Sequence, residues 1–99
     1  MKTFYISGPM SGYEDLNFPS FHKAAALVRA RGDLVINPAE VNPDPEADWF
    51  ECIIEDIKWV SKCDGIYLLQ GWESSNGAQI QFLVADKLGL VVEYETNNE

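Results

Sequence analysis

Short apolar runs alternate along the chain with longer stretches in which apolar side chains return every three or four residues. Lys2 to Ile6 reads as a strand, and Ser7-Gly8-Pro9-Met10-Ser11-Gly12 ends it, because Gly, Pro and Ser break the extended pattern and favour a loop. Phe21, Ala24, Ala25 and Val28 then recur at helical spacing. Asn17-Phe18-Pro19 supplies a cap with an early proline and Gly32 supplies the stop, so a helix is predicted from Phe18 to Arg31. Asp33 to Ile36 is a short apolar run between Gly32 and Asn37-Pro38, the form of a strand covered on both faces. The Pro- and carboxylate-rich stretch from Pro38 to Asp48 reads as an extended loop with room for a short helical turn.

Asp48 followed by Glu51 resembles a capping box, and Phe50, Ile53, Ile54, Ile57 and Val60 behind it form one apolar stripe, predicting a helix from Trp49 to Ser61. Gly65 to Leu69 reads as a third strand, Gly71 to Asn76 as a loop, Gly77 to Leu88 as a third helix stopped by Gly89, and Leu90 to Tyr94 as a fourth strand. Glu95 to Glu99 is a polar tail prone to fray. Strands alternating with helices imply right-handed crossovers. The expected fold is therefore α/β: a small Rossmann-like, flavodoxin-like three-layer sandwich with a four-stranded parallel sheet and helices on both faces, one domain over residues 1–94. Ligands of such sheets gather beyond the carboxyl ends of the strands. The loops expected there are Ser7 to Asn17, Asn37 to Ala47 and Gln70 to Asn76.

Composition narrows the ligand. Ninety-nine residues, 46% of them apolar, support one modest core and leave no room for a second domain. No run approaches the roughly eighteen apolar residues that span a bilayer, and the first residues lack the apolar core of a signal peptide, so a cytoplasmic location is expected. The formal charge of −9, with seven scattered Lys and Arg, argues against nucleic acid or an anionic membrane as partner and for a small molecule. Cys52 and Cys63 lack metal or redox spacing and read as buried free thiols. His22, the one histidine, has no partner at a telling distance; neither a metal site nor a cofactor is expected.

The candidate chemistry lies at the expected strand ends. Gly8 and Gly12 let the first loop turn and approach a ligand closely, although neither a dinucleotide nor a P-loop fingerprint is met, and an ordinary tight turn is the plainer reading. Ser74-Ser75-Asn76-Gly77 opens the third helix, where hydroxyls and unpaired N–H groups suit either an anion or simple capping. Asp56 reads equally as a half-buried acid of raised pKa or as a solvated flank residue. Gln81, between Ala78, Phe82 and Ala85, needs hydrogen-bond partners if it faces inward, and otherwise is a surface amide. Trp72 suits packing, or stacking on a base.

Taken together, Tyr5-Ile6-Ser7-Gly8-Pro9-Met10, Asn17-Phe18-Pro19, Asn37-Pro38-Ala39-Glu40, Asp56-Ile57-Lys58-Trp59, Cys63-Asp64 and Gly71 to Ala78 resemble a family of small phage and bacterial proteins similar to nucleoside 2-deoxyribosyltransferases, and more distantly the 2'-deoxynucleoside 5'-phosphate N-hydrolases. The resemblance covers nearly the whole chain. It implies cleavage or transfer of the bond between a nucleobase and deoxyribose by a retaining, carboxylate-dependent mechanism. It assigns the nucleophile position to Gln81, where the family has Glu, and the second acid to Asp56, with Glu73 as a lower-ranked source of a carboxylate. It further implies a substrate site drawn from Tyr5, Ser7, Gly8, Pro9, Met10, Asn37, Glu40, Trp72, Ser74, Ser75, Asn76 and Gly77. The small-molecule partner would be a nucleoside or nucleotide, and a homodimer or larger homo-oligomer is expected. A neutral amide is a poor nucleophile, so a chain with Gln81 is expected to bind better than it cleaves. Whether Gln81 reflects natural loss or deliberate change stays open, as does a purely sequestering or interaction role.

Overall fold

The structure, a computed structural model, describes residues 1–41 and 48–96. The chain runs β1 (Thr3–Ser7), a 3-10 turn (Glu14–Asn17), α1 (Phe18–Ala30), β2 (Leu34–Ile36), α2 (Pro38–Val41), α3 (Trp49–Ser61), β3 (Gly65–Leu68), a second 3-10 turn (Trp72–Ser74), α4 (Asn76–Lys87) and β4 (Val91–Tyr94). All four strands are parallel, in the order β2-β1-β3-β4, with Tyr5 level with Ile36 on one side and Ile66 on the other. This is the expected α/β sandwich. The strand order reverses between β1 and β3, which places the switch point, and the crevice beyond it, at the end of β1.

Period-two alternation sorts the side chains into two cores. Phe4 and Ile6 of β1, with Tyr67 and Leu69, pack against Phe21, Ala24 and Val28 of α1. Tyr5, Ile66 and Leu68 face the other way, against Val60 of α3 and Ala85 of α4. Being covered on both faces, β1 and β3 read as unbroken apolar runs; β2 and β4, at the sheet edges, keep exposed positions such as Leu34 and Val91.

Local chemistry sets the helix starts. The Asp48 side chain accepts from the Glu51 N–H at 3.0 Å, and the Ser75 hydroxyl oxygen accepts from the Ala78 N–H at 3.2 Å. The predicted Asn17 cap is not made. Asp15, Leu16 and Asn17 instead form a left-handed turn with φ of 52°, 54° and 62°, and the Asn17 amide donates across the loop to the Pro9 carbonyl at 2.9 Å. Three successive residues in that region cost about 1 kcal/mol or more each, and the cross-loop bond offsets part of that cost.

Other departures are small. Ser7 belongs to β1 rather than to the loop, since its carbonyl accepts from the Leu69 N–H at 2.8 Å. The short helical turn allowed for after Asn37 is present as α2, whose first N–H groups fold back on Asn37. The rest of that predicted loop, residues 42–47, and the tail from residue 97 lie outside the described residues. On α3 the predicted apolar stripe is split: Val60 is buried, whereas Phe50 and Ile54 face solvent. Among the described residues no helix is long and apolar enough to cross a membrane.

Candidate ligand-binding site

A pocket of about 480 Å³ opens beyond the ends of β1 and β3. Gly8 to Ser11, Tyr13 and Leu16 wall it from the loop after β1, Phe18 and Phe21 from α1, and Trp49, Cys52, Ile53 and Asp56 from α3. Ser74 to Ala78 and Gln81 close it from the start of α4. The size suits a nucleoside-sized or drug-sized ligand. Gly77 lies against α3: a Cβ there would fall 2.8 Å from the Ile53 Cδ1, so that methyl would have to turn aside.

The polar floor of the pocket follows from the register of β1. Tyr5 and Ser7 share the face turned toward α3 and α4, so the Ser7 hydroxyl reaches Gln81 and donates to its Oε1 at 2.5 Å. Gln81 Nε2 in turn donates to Asp56 Oδ2 at 3.1 Å. Gln81 is 5% exposed and Asp56 8% exposed, which decides both open readings in favour of inward-facing groups. The second Asp56 oxygen, Oδ1, and the Tyr5 hydroxyl are buried without hydrogen-bond partners. They lie close enough for each to perturb the other's ionisation, yet not in hydrogen-bonding geometry. Burial pushes the Asp56 carboxyl up to about 6; the neighbouring charge of Glu55 adds to this, and Tyr5 and Gln81 oppose it. Burial, and then the Asp56 charge, raise the Tyr5 phenol well above its ordinary value.

Of the residues singled out from sequence, Tyr5, Gly8, Pro9, Met10, Asp56, Ser74, Ser75, Asn76, Gly77 and Gln81 come together around this one pocket. Ser7 sits just behind it, through Gln81. The others point elsewhere. Glu40 accepts both terminal N–H groups of Arg29, at 3.0 and 2.7 Å, on the exposed side of α1. Asn37 is fully buried and serves α2, its Oδ1 accepting from the Ala39 N–H at 3.0 Å while its amide lies 3.3 Å from His22 Nδ1. Trp72 packs on Phe82 and Tyr94, with centroids 4.9 and 6.2 Å away, because the turn after β3 carries it toward β4. Glu73 is exposed, and its carbonyl accepts from the Gln79 side chain.

Sequence reasoning missed the apolar wall. Trp49, Cys52 and Ile53 share one helix face with the already singled-out Asp56, at i, i+3, i+4 and i+7, and that spacing was the available signal. Cys52, expected to be buried, is only half-buried and lines the pocket, whereas Cys63 is buried behind the sheet, its thiol pushed up to about 11 by burial. Among the described residues no group of three His, Cys, Asp or Glu could hold a metal ion.

A family described as a domain of unknown function (DUF4406) matches residues 2–94. Comparison with curated proteins finds no match. Among solved structures, a 2-desoxiribosyltransferase from Leishmania mexicana is similar in fold, with a TM-score of 0.73 and 21% identity over 95% of this chain. This chain spans 63% of that protein's length.

Proposed function

We propose, for a chain that belongs to the DUF4406 family, that the pocket holds a nucleoside or nucleotide and that the protein is of the deoxyribosyltransferase or N-glycosidase class with its bond-breaking step impaired. One observation carries this reading: the buried contact between Gln81 and Asp56 on the pocket floor. A retaining cleavage of the base-deoxyribose bond needs a carboxylate to attack the anomeric carbon and an acid to assist departure of the base. Asp56, with its raised pKa, suits the acid. Gln81 stands where the resemblance calls for the attacking carboxylate, and an amide neither attacks well nor offsets the positive charge that grows on the sugar. Fold similarity to a 2-desoxiribosyltransferase supports the same class.

The same amide favours a second reading, sequestration of the ligand without turnover. Ser7 and Asp56 occupy both ends of Gln81, so the side chain is held as a fixed part of the floor. Exposed apolar groups on α3, Trp49, Phe50 and Ile54, support a homodimer or larger homo-oligomer under either reading. No cofactor is invoked, and the setting is cytoplasmic.

Calorimetric titration with deoxynucleosides and their 5'-monophosphates, and chromatography for free base, test the proposal on the wild-type chain and on Gln81→Glu. Binding by the wild type and base release by the variant are expected. Binding without release by either protein leaves only sequestration. Absence of binding and of release in both would remove the nucleoside reading altogether.

A further inference from the structure

We infer that the pocket selects nucleosides whose base carries a permanent positive charge, such as a pyridinium or N7-alkylpurinium ring, over neutral ones. The inference rests on the nucleoside reading above and names the ligand class within it.

The charge of the lining is one-sided. Among the described residues, Asp56 is its single carboxyl group and it contains no Lys, Arg or His. The chain as a whole carries a formal −9. A concave site of one sign with low-dielectric walls focuses the field and concentrates ligands of the opposite sign.

Among the described residues the carboxyl group also lacks a cationic partner. Asp56 is more than nine-tenths buried; its Oδ2 is occupied by Gln81, and its Oδ1 has no hydrogen bond. The groups that perturb it are the Tyr5 phenol from β1, the Glu55 carboxylate from α3 and the neutral Gln81 amide from α4, none of them cationic. An unneutralised buried carboxylate is costly, and a cationic ligand ring is a group that would relieve the cost. Because position 81 is an amide, no second carboxylate next to Asp56 shares its proton.

Aromatic side chains form much of the remaining wall: Tyr13, Phe18, Phe21 and Trp49. Ring faces attract cations through their quadrupole, Trp most strongly, and the attraction grows as water is excluded. A flat cationic base gains from both the carboxylate and the rings. A neutral base of the same shape gains the contact area alone.

The test compares nicotinamide riboside with its neutral 1,4-dihydro form, and N7-methyladenosine with adenosine, by calorimetry on the intact chain. Near neutral pH, each cation is expected to bind about tenfold or more tighter than its neutral counterpart, the scale of a desolvated cation–aromatic contact. Asp56→Asn should cut that ratio to about threefold or less. A measurement on the wild type alone guards against misfolding of the variant: affinity for nicotinamide riboside, whose charge does not titrate, should fall as the pH is lowered through about 6, where Asp56 takes up its proton. Equal affinities in either pair, a preference that survives undiminished in folded Asp56→Asn, or a pH-independent affinity would overturn the inference. If neutral nucleosides bind and cations gain nothing, only the charge preference fails; if no nucleoside binds at all, the nucleoside reading fails with it.

Discussion

Asp56→Asn replaces a buried carboxyl group by an amide of the same shape and gives the sharpest test of the site's energetics. In the folded chain the carboxyl is raised from 3.8 to about 6, mainly by burial. The folded state therefore holds the Asp56 proton more tightly than the unfolded chain does. The stability this provides is fully present below about pH 3.8 and is lost as the pH rises through about 6. At ~1.4 kcal/mol for each tenfold change in proton affinity, the loss by pH 7.5 is about 3 kcal/mol. In the variant, the Asn amide oxygen can still accept from Gln81 Nε2. Urea unfolding of both proteins at pH 3.5 and pH 7.5 provides the assay. The variant should match the wild type at pH 3.5 and exceed it by about 3 kcal/mol at pH 7.5. A variant that is less stable at pH 7.5, or that gains equally at both pH values, would refute the claim that the native pocket holds a strained, ionised carboxylate. A confirmed gain would mean that the fold retains Asp56 at a cost in stability, the pattern of a residue kept for binding or chemistry.

Two further outcomes follow from packing and thiol chemistry. Gly8→Ala sets a Cβ 2.6 Å from the Leu69 Cβ, where neither backbone yields easily; a loss of about 1–3 kcal/mol is expected, seen as a fall in Tm of several degrees. Under native conditions one thiol should react readily with an aromatic disulfide reagent, namely Cys52 at the pocket wall, while Cys63, buried and with its thiol raised to about 11, reacts only on unfolding. Mass mapping of the labelled residue checks this, and equal labelling of both cysteines would contradict the burial pattern.

Hydrophobic periodicity was enough to determine four strands, their alternation with helices and the parallel sheet, because burial on one or both faces imposes periods of two and 3.6 on the sequence itself. Capping chemistry at Asp48 and Ser75 was likewise legible, being a contact between residues three apart. The pocket's location at the strand ends followed from topology. What only the tertiary structure decided was which polar groups meet there. Ser7, Asp56 and Gln81 are separated by 49 and 25 positions, and no local pattern says that β1, α3 and α4 present them to one another. The same long-range packing removed Glu40, Asn37, Trp72 and Glu73 from the pocket, each taken by a partner or by solvent that a one-dimensional pattern cannot show. Residue type specified what chemistry position 81 lacks; burial of that amide between a hydroxyl and an unneutralised carboxylate specified what the pocket has in its place.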